Sequence, residues 1–217
     1  MISAVIPTLN AAATLGPCLQ SLAAADEIIV ADGGSSDATA EITARHGAHW
    51  LPSERGRGQQ LAAGAMAAKG DLLLFIHADT HLEEGWRDDL LALPADKALA
   101  FRLAFDTPHP AARRIERLAN WRATVLGLPY GDQGLALTRP FYDALGGYQP
   151  LPLMEDVDMV RRIGRRRLCH SARVALTSAE RYQRDGWWSR PLRNLGLLGL
   201  YFMGMAPERL AALYARP

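Results

Sequence analysis

Three short apolar runs each stop at a polar turn, and that recurrence constrains the fold more than anything else in the chain. Ile2 to Pro7 gives way to Thr8, Leu9 and Asn10; Glu27 to Ala31 gives way to Asp32, Gly33 and Gly34; Asp71 to Ile76 gives way to His77, Ala78 and Asp79. A further run, Ala48 to Leu51, lies between the last two. Runs of this length bounded by turn residues read as strands, and the stretches between them carry helical spacing. That is the pattern of β-α units feeding a mostly parallel sheet. Asn10 is expected to cap a helix through Leu22. Ser36 and Asp37 are expected to cap a second ending at His46 and Gly47, and a third spans Gln59 to Ala68 with Gly70 closing it. Ligands of such sheets gather beyond the carboxyl ends of the strands, so the residues just past each run are the first candidates for chemistry.

The second half is less regular. It predicts a strand at Leu99 to Phe105, a long helix at Ala111 to Leu126, a loop at Pro129 to Gly134, a helix at Asp156 to Arg166 and a strand at Val174 to Thr177. Helices at Pro191 to Met203 and Pro207 to Tyr214 end the chain. No Pro/Gly/Ser-rich linker and no repeat divides the 217 residues. One domain over 1–180, with 181–217 as a helical extension of it, is therefore expected.

The composition is that of a globular chain, 49% hydrophobic and 22% charged, which excludes disorder, collagen and coiled coil. The formal charge of +1 hides an asymmetry: residues 1–100 hold 13 acids and 6 bases, residues 101–217 hold 10 acids and 18 bases. Arg161, Arg162, Arg165, Arg166 and Arg167 cluster without interleaved aromatics, so a solvated helix face is expected there and no nucleic-acid partner. Cys18 and Cys169 fit neither a disulfide framework nor a zinc site and are expected as free thiols. The start of the chain shows no signal-peptide pattern, which predicts a cytoplasmic protein. Leu195 to Ala206 is too short to span a bilayer. Its apolar excess, with Arg184, Arg190 and Arg193 at one end, leaves three outcomes open: peripheral contact at the inner face of a membrane, a homodimer interface, or closure of the core.

Four constellations carry candidate chemistry. Asp32 with Gly33 can accept hydrogen bonds from a base or ribose, or can simply cap its own turn. Asp79 can hold a hard divalent cation through oxygen, with the nitrogen of His77 one pleat away on the same side. Arg55 and Arg57, with Gly56 and Gly58, lead into a helix whose first amides make an anion site. They do not make a dinucleotide fingerprint, because that motif follows the first strand and its third glycine is absent here, where Leu61 stands. In the second half, PYGDQG contains Gly131, Asp132 and Gln133, and LMEDVDM places Glu155, Asp156 and Asp158 at a helix start. Acids there are favoured by the helix dipole, and they also suit a catalytic base. Successive helical residues point about 100° apart, so one of Glu155 and Asp156 would act and the other orient it.

The order of these pieces, VIPTLN, VADGGSSDAT, ERGRGQQ, FIHADT, GDQG and MEDVDM, resembles family-2 glycosyltransferases of the GT-A fold. Within them it is similar to a small bacterial group labelled radical-SAM/selenodomain-associated transferase 2. The resemblance covers nearly the whole chain, with these pieces running from Val5 to Met159. It implies an α/β GT-A fold, with a mostly parallel Rossmann-like sheet flanked by helices and a C-terminal helical extension. The nucleotide-sugar half would be 1–100 and the acceptor half 101–180. It further implies a donor site for a UDP- or GDP-type nucleotide sugar, built from Pro7, Thr8, Asn10, Asp32, Gly33, Arg55, Arg57, Gln59, His77 and Ala78. Mg²⁺ or Mn²⁺ would sit on Asp79 with His77, Asp156 would be the base of an inverting transfer with Glu155 beside it, and Gly131, Asp132, Gln133, Arg184 and Trp187 would line the acceptor side. His77 stands where the family's metal motif usually has an aspartate. The processive signature Gln-x-x-Arg-Trp is incomplete here, with only Gln183, Arg184 and Trp187, so long-chain polymer synthesis is not expected. Two alternatives remain beside this one: a nucleotidyltransferase on a similar sheet, and a non-catalytic nucleotide-binding or membrane-docking module.

Overall fold

The structure is a computed structural model and describes residues 1–214. The strands are β1 (Ile2–Thr8), β2 (Glu27–Asp32), β3 (His49–Pro52), β4 (Leu72–Phe75), β5 (Thr80–Leu82), β6 (Ala98–Phe105), β7 (Leu135–Thr138) and β8 (Leu168–Thr177). The helices are α1 (Ala12–Ser21), α2 (Thr39–Arg45), α3 (Arg57–Ala67), α4 (Trp86–Leu91), α5 (Pro110–Trp121), α6 (Arg139–Ala144), α7 (Glu155–Ile163), α8 (Glu180–Asp185), α9 (Ser189–Phe202) and α10 (Pro207–Tyr214). All eight strands form one sheet in the order β3-β2-β1-β4-β7-β6-β8-β5. Pairs β3/β2, β2/β1, β1/β4 and β6/β8 are parallel, and the other three are antiparallel.

Every residue of β1 is buried, as a central strand covered on both faces requires. Its alternation splits the core. Ile2, Ala4 and Ile6 pack under α1 with Leu15, Leu19 and Val30, while Val5 faces α3 with Ile29, Leu61 and Phe75. The accessible surface of 10328 Å² matches the roughly 10,000 Å² that a chain of this mass should keep as a single body. Cys18 and Cys169 are free.

Some local expectations are corrected. Asn10 is not the cap of α1. It takes a left-handed φ of 52°, and its Oδ1 accepts the Ser36 amide at 2.9 Å, stitching the loop after β1 to the loop after β2. Gly70 is not the closing glycine of α3. The guanidinium of Arg139 donates to the carbonyls of Ala65, Ala68 and Gly70, satisfying the helix end by a side chain. Gly70 is needed instead because a Cβ there would lie 2.6 Å from Ser3 Oγ. The long helix breaks at Trp121 into α5 and a π-helical segment, Arg122–Leu126, ended by Gly127 at φ 68°. Elements β5, β7, α4, α6 and α8 have no counterpart among the expected ones.

The C-terminal helices close over α7, where Leu197, Leu198 and Leu210 pack on Leu153, Met154 and Val157. Arg190 does not face outward to meet lipid phosphate: its side chain is 10% exposed and is bonded to Asp185 and Tyr214. Leu192 and Leu195 remain exposed. No described helix is long and apolar enough to cross a membrane.

Candidate active site

Strand register brings the candidates to one edge. Thr8 pairs with Asp32 at the ends of β1 and β2, and the ladder between β1 and β4 continues to Ile76, next to His77. Because β7 runs antiparallel to β4, with Leu135 opposite Phe75, the loop 131–134 arrives at the same edge. Thr177 at the end of β8 faces Thr80, which places Asp79 there as well.

Asp32 is buried, and its carboxylate is fully engaged. Oδ1 accepts from the hydroxyls of Thr8 and Ser35, and Oδ2 accepts from the amides of Gly34 and Ser35. It thus holds the turn in one shape. Pro7, Thr8, Asn10, Asp32 and Gly33 come together around that turn. Gln60 locks it from below, its Nε2 donating to the carbonyls of Thr8 and Ala31 at 2.6 and 2.8 Å. Sequence reasoning singled out Gln59, whose amide bonds only to Glu54 on the surface. The buried spacing on α3, with Gln60 beside Leu61 and Gly64, was the signal that could have found Gln60. Arg55 is exposed, and Ala78 belongs to the core.

Asp79 and His77 have different surroundings. The Asp79 side chain is 15% exposed, and its nearest cation is Arg181, with Nη2 3.5 Å from Oδ2. The His77 ring packs against Gly131, where a Cβ would collide with its Nε2. Burial, and then the charge of Arg57, push the His77 pKa down to about 4, so the imidazole is neutral near pH 7.

The acid pair opens α7 after Met154, which adopts φ 68° and turns the chain into the site. Asp156 Oδ2 accepts the Gly131 amide at 3.0 Å, and its Oδ1 accepts the Val157 amide at 2.8 Å. Two adjoining clefts meet at Asp156. One is lined by Tyr130, Gly131, Leu135 and Tyr148, the other by Leu61, His77, Tyr148 and Glu155. Glu155 has no exposed side-chain surface, and neither oxygen receives a well-formed hydrogen bond, but Arg57 Nε lies 2.9 Å from Oε1. Burial raises its pKa to about 7 against the lowering influence of Arg57. Asp158 turns away to an i,i+4 pair with Arg162.

A sequence profile for glycosyl transferase family 2 matches residues 3–120, which carry the donor edge just described. The chain belongs to this family. An uncharacterized glycosyltransferase of Mycobacterium tuberculosis is 34% identical over 92 residues, 42% of this chain and 42% of that one, so the match spans well under half of the relative's length. Among solved structures, glucosyl-3-phosphoglycerate synthase from M. tuberculosis, in complex with Mn²⁺, UDP and glucosyl-3-phosphoglycerate, superposes with a TM-score of 0.57 at 21% identity. It covers 82% of this chain and 70% of that one. Residues 1–349 of S. aureus TarS give a TM-score of 0.64 at 16% identity over 96% of this chain and 68% of that one. These likenesses show the GT-A fold.

Within this family frame the acceptor-side residues divide. Gly131 lines both clefts, whereas Asp132 lines neither and keeps its Oδ1 buried without a hydrogen-bond partner. Burial and the charges of Asp156 and Asp79 raise the Asp132 pKa to about 6, against the lowering pull of Arg122. Gln133 is a buried brace donating to the Phe101 carbonyl. Arg184 and Trp187 do not line the Asp156 clefts. Arg184 is 69% exposed and pairs with its neighbour Asp185, while Trp187 packs on Phe105, His109 and Tyr182. Arg122 was missed. It stacks 3.3 Å over the Tyr130 ring from the π-helical segment, an irregularity that no periodicity reveals.

Proposed function

We propose that the chain is an inverting glycosyltransferase that moves a sugar from a nucleoside diphosphate sugar to an acceptor hydroxyl. The observation that carries this reading is the Asp156 carboxylate, fixed by the Gly131 amide at the mouth of clefts that open on the same edge as Asp32 and Asp79. The solved relatives crystallised with UDP support a uridine donor over a guanosine one.

The donor's base would lie against the Thr8–Asp32–Gly33 turn and its diphosphate beyond β4. Asp156 would take the proton of the acceptor hydroxyl as its oxygen attacks the anomeric carbon from the side opposite the diphosphate, which leaves with the electron pair of the C–O bond. Configuration therefore inverts. Positioned base catalysis of this kind contributes roughly 10² to 10⁴-fold. Glu155 orients this helix end through its contact with Arg57.

A divalent cation fits the site. Asp79 is mostly buried, and its carboxylate accepts no hydrogen bond among the described residues and already faces a cation. The described residues hold no cluster of three or more His, Cys, Asp or Glu ligands, so Mg²⁺ or Mn²⁺ would be held by Asp79 together with substrate phosphates. When bound it supplies positive charge to the departing diphosphate.

Calorimetric titration with UDP, GDP, dTDP and CMP, with and without Mn²⁺, tests the reading, followed by an assay for release of nucleoside diphosphate from the sugar donor. UDP binding strengthened by Mn²⁺ is expected. Failure of every nucleotide to bind removes the reading, and release of pyrophosphate from a sugar phosphate and a nucleoside triphosphate would substitute the nucleotidyltransferase.

A further inference from the structure

The cation nearest Asp79 belongs to the protein. Arg181 is the second residue of α8, and the backbone delivers it: the Ser178 amide donates to the Asp79 carbonyl at 3.0 Å, and the Thr80 and Thr177 hydroxyls meet at 3.0 Å across β5 and β8. The resulting pair is unequal. Asp79 is 15% exposed, whereas Arg181 is 56% exposed and, among the described residues, makes neither a hydrogen bond nor a second ion pair. At 3.5 Å the contact is monodentate and loose, the kind of pair that contributes little to stability.

A divalent ion on the same carboxylate oxygen would bring two positive charges beside the guanidinium, and like charges at such a distance repel. The long stem of Arg181 lets its head leave at small cost. A donor arriving with the cation brings a diphosphate, whose oxygens match the guanidinium fork two at a time. We propose that Arg181 holds Asp79 until a divalent cation binds, yields that oxygen to the cation and then binds the diphosphate of the donor. This rests on the donor-site reading above and adds to it a residue specific to the second phosphate.

The test uses the full chain and three proteins: wild type, Arg181→Gln and Arg181→Lys. Mn²⁺ binding without nucleotide, followed by electron paramagnetic resonance, should tighten about threefold in Arg181→Gln through loss of the competing charge, and stay near wild type in Arg181→Lys. UDP in the presence of Mn²⁺ should bind roughly tenfold more weakly to Arg181→Gln, with Arg181→Lys between, because a charged fork on phosphate is lost. UMP, which lacks the second phosphate, should change less. Unchanged Mn²⁺ affinity overturns the competition, and unchanged UDP affinity overturns the phosphate contact. If wild type binds UDP and Arg181→Gln binds it equally, the donor reading stands and the role of Arg181 falls. If wild type binds no nucleoside diphosphate, both fall.

Discussion

Glu155 is buried beside one guanidinium with no hydrogen-bond donor on either oxygen, so its charge state is set by a balance between desolvation and Arg57. Its carboxyl releases a proton near 4.5 when unfolded and near 7 when folded. Between those values the folded chain binds more protons, so stability falls as pH rises through this window. Glu155→Gln should remove that slope. The stability lost by wild type between pH 5 and pH 8, from urea unfolding, should exceed that of the variant by on the order of 2 kcal/mol. Equal slopes would show that Glu155 is ionised throughout. Asp156 makes the sharper functional case. Asp156→Asn keeps the Gly131 contact but cannot take a proton, so kcat should fall at least ~10²-fold with UDP affinity unchanged. An active Asp156→Asn beside a dead Glu155→Gln would exchange their roles. The placement of Asp32, Asp79 and Asp156 at one sheet edge was legible because each follows a strand or opens a helix. Arg181 was not, because its partner lies 102 positions away in the chain.

At the scale of elements, the first four strands were readable because each is an apolar run bounded by turn residues, whereas β5, at three residues, is too short for any period to show. Strand β7 is as long as β3 and β4, so its length does not explain why it was passed over. The end of α3 was misread for a different reason. A guanidinium from α6 satisfies the helix carbonyls, and no local rule anticipates a cap supplied 71 residues later. Helix α3 also shows where helix propensity misleads. Gly64 sits in its interior, where alanine is the better helix former by about 1 kcal/mol. Yet a Cβ at Gly64 would collide with Val5 Cγ1 on β1, so the glycine is what lets the helix approach the sheet. Gly64→Ala should therefore destabilise the protein by about 1 to 3 kcal/mol, seen as a lower urea midpoint at unchanged m. A raised midpoint would mean that α3 can shift outward without loss.

For the whole molecule, the charge asymmetry of the chain finds a structural use. Among the bases of the second half, Arg139, Arg162, Arg167 and Arg173 donate to backbone carbonyls, so part of the arginine excess ties elements together. Helices α9 and α10 couple to the site by packing. Leu210 is fully buried against Leu153, Met154 and Val157, the residues around the start of α7. Met154 holds a left-handed conformation that a non-glycine residue keeps only when its surroundings enforce it. Leu210→Ala should cost about 2 to 5 kcal/mol as a large-to-small core change. By loosening the enclosure of Met154 it should also let Glu155 and Asp156 drift, lowering kcat several-fold. UDP affinity should hold, since the Asp32 turn and Asp79 lie on other elements. Leu195→Ala, at a position 62% exposed on α9, should change neither quantity beyond about 0.5 kcal/mol. A destabilised Leu210→Ala with full kcat below its melting range would mean that α10 supports the fold without shaping the catalytic end of α7.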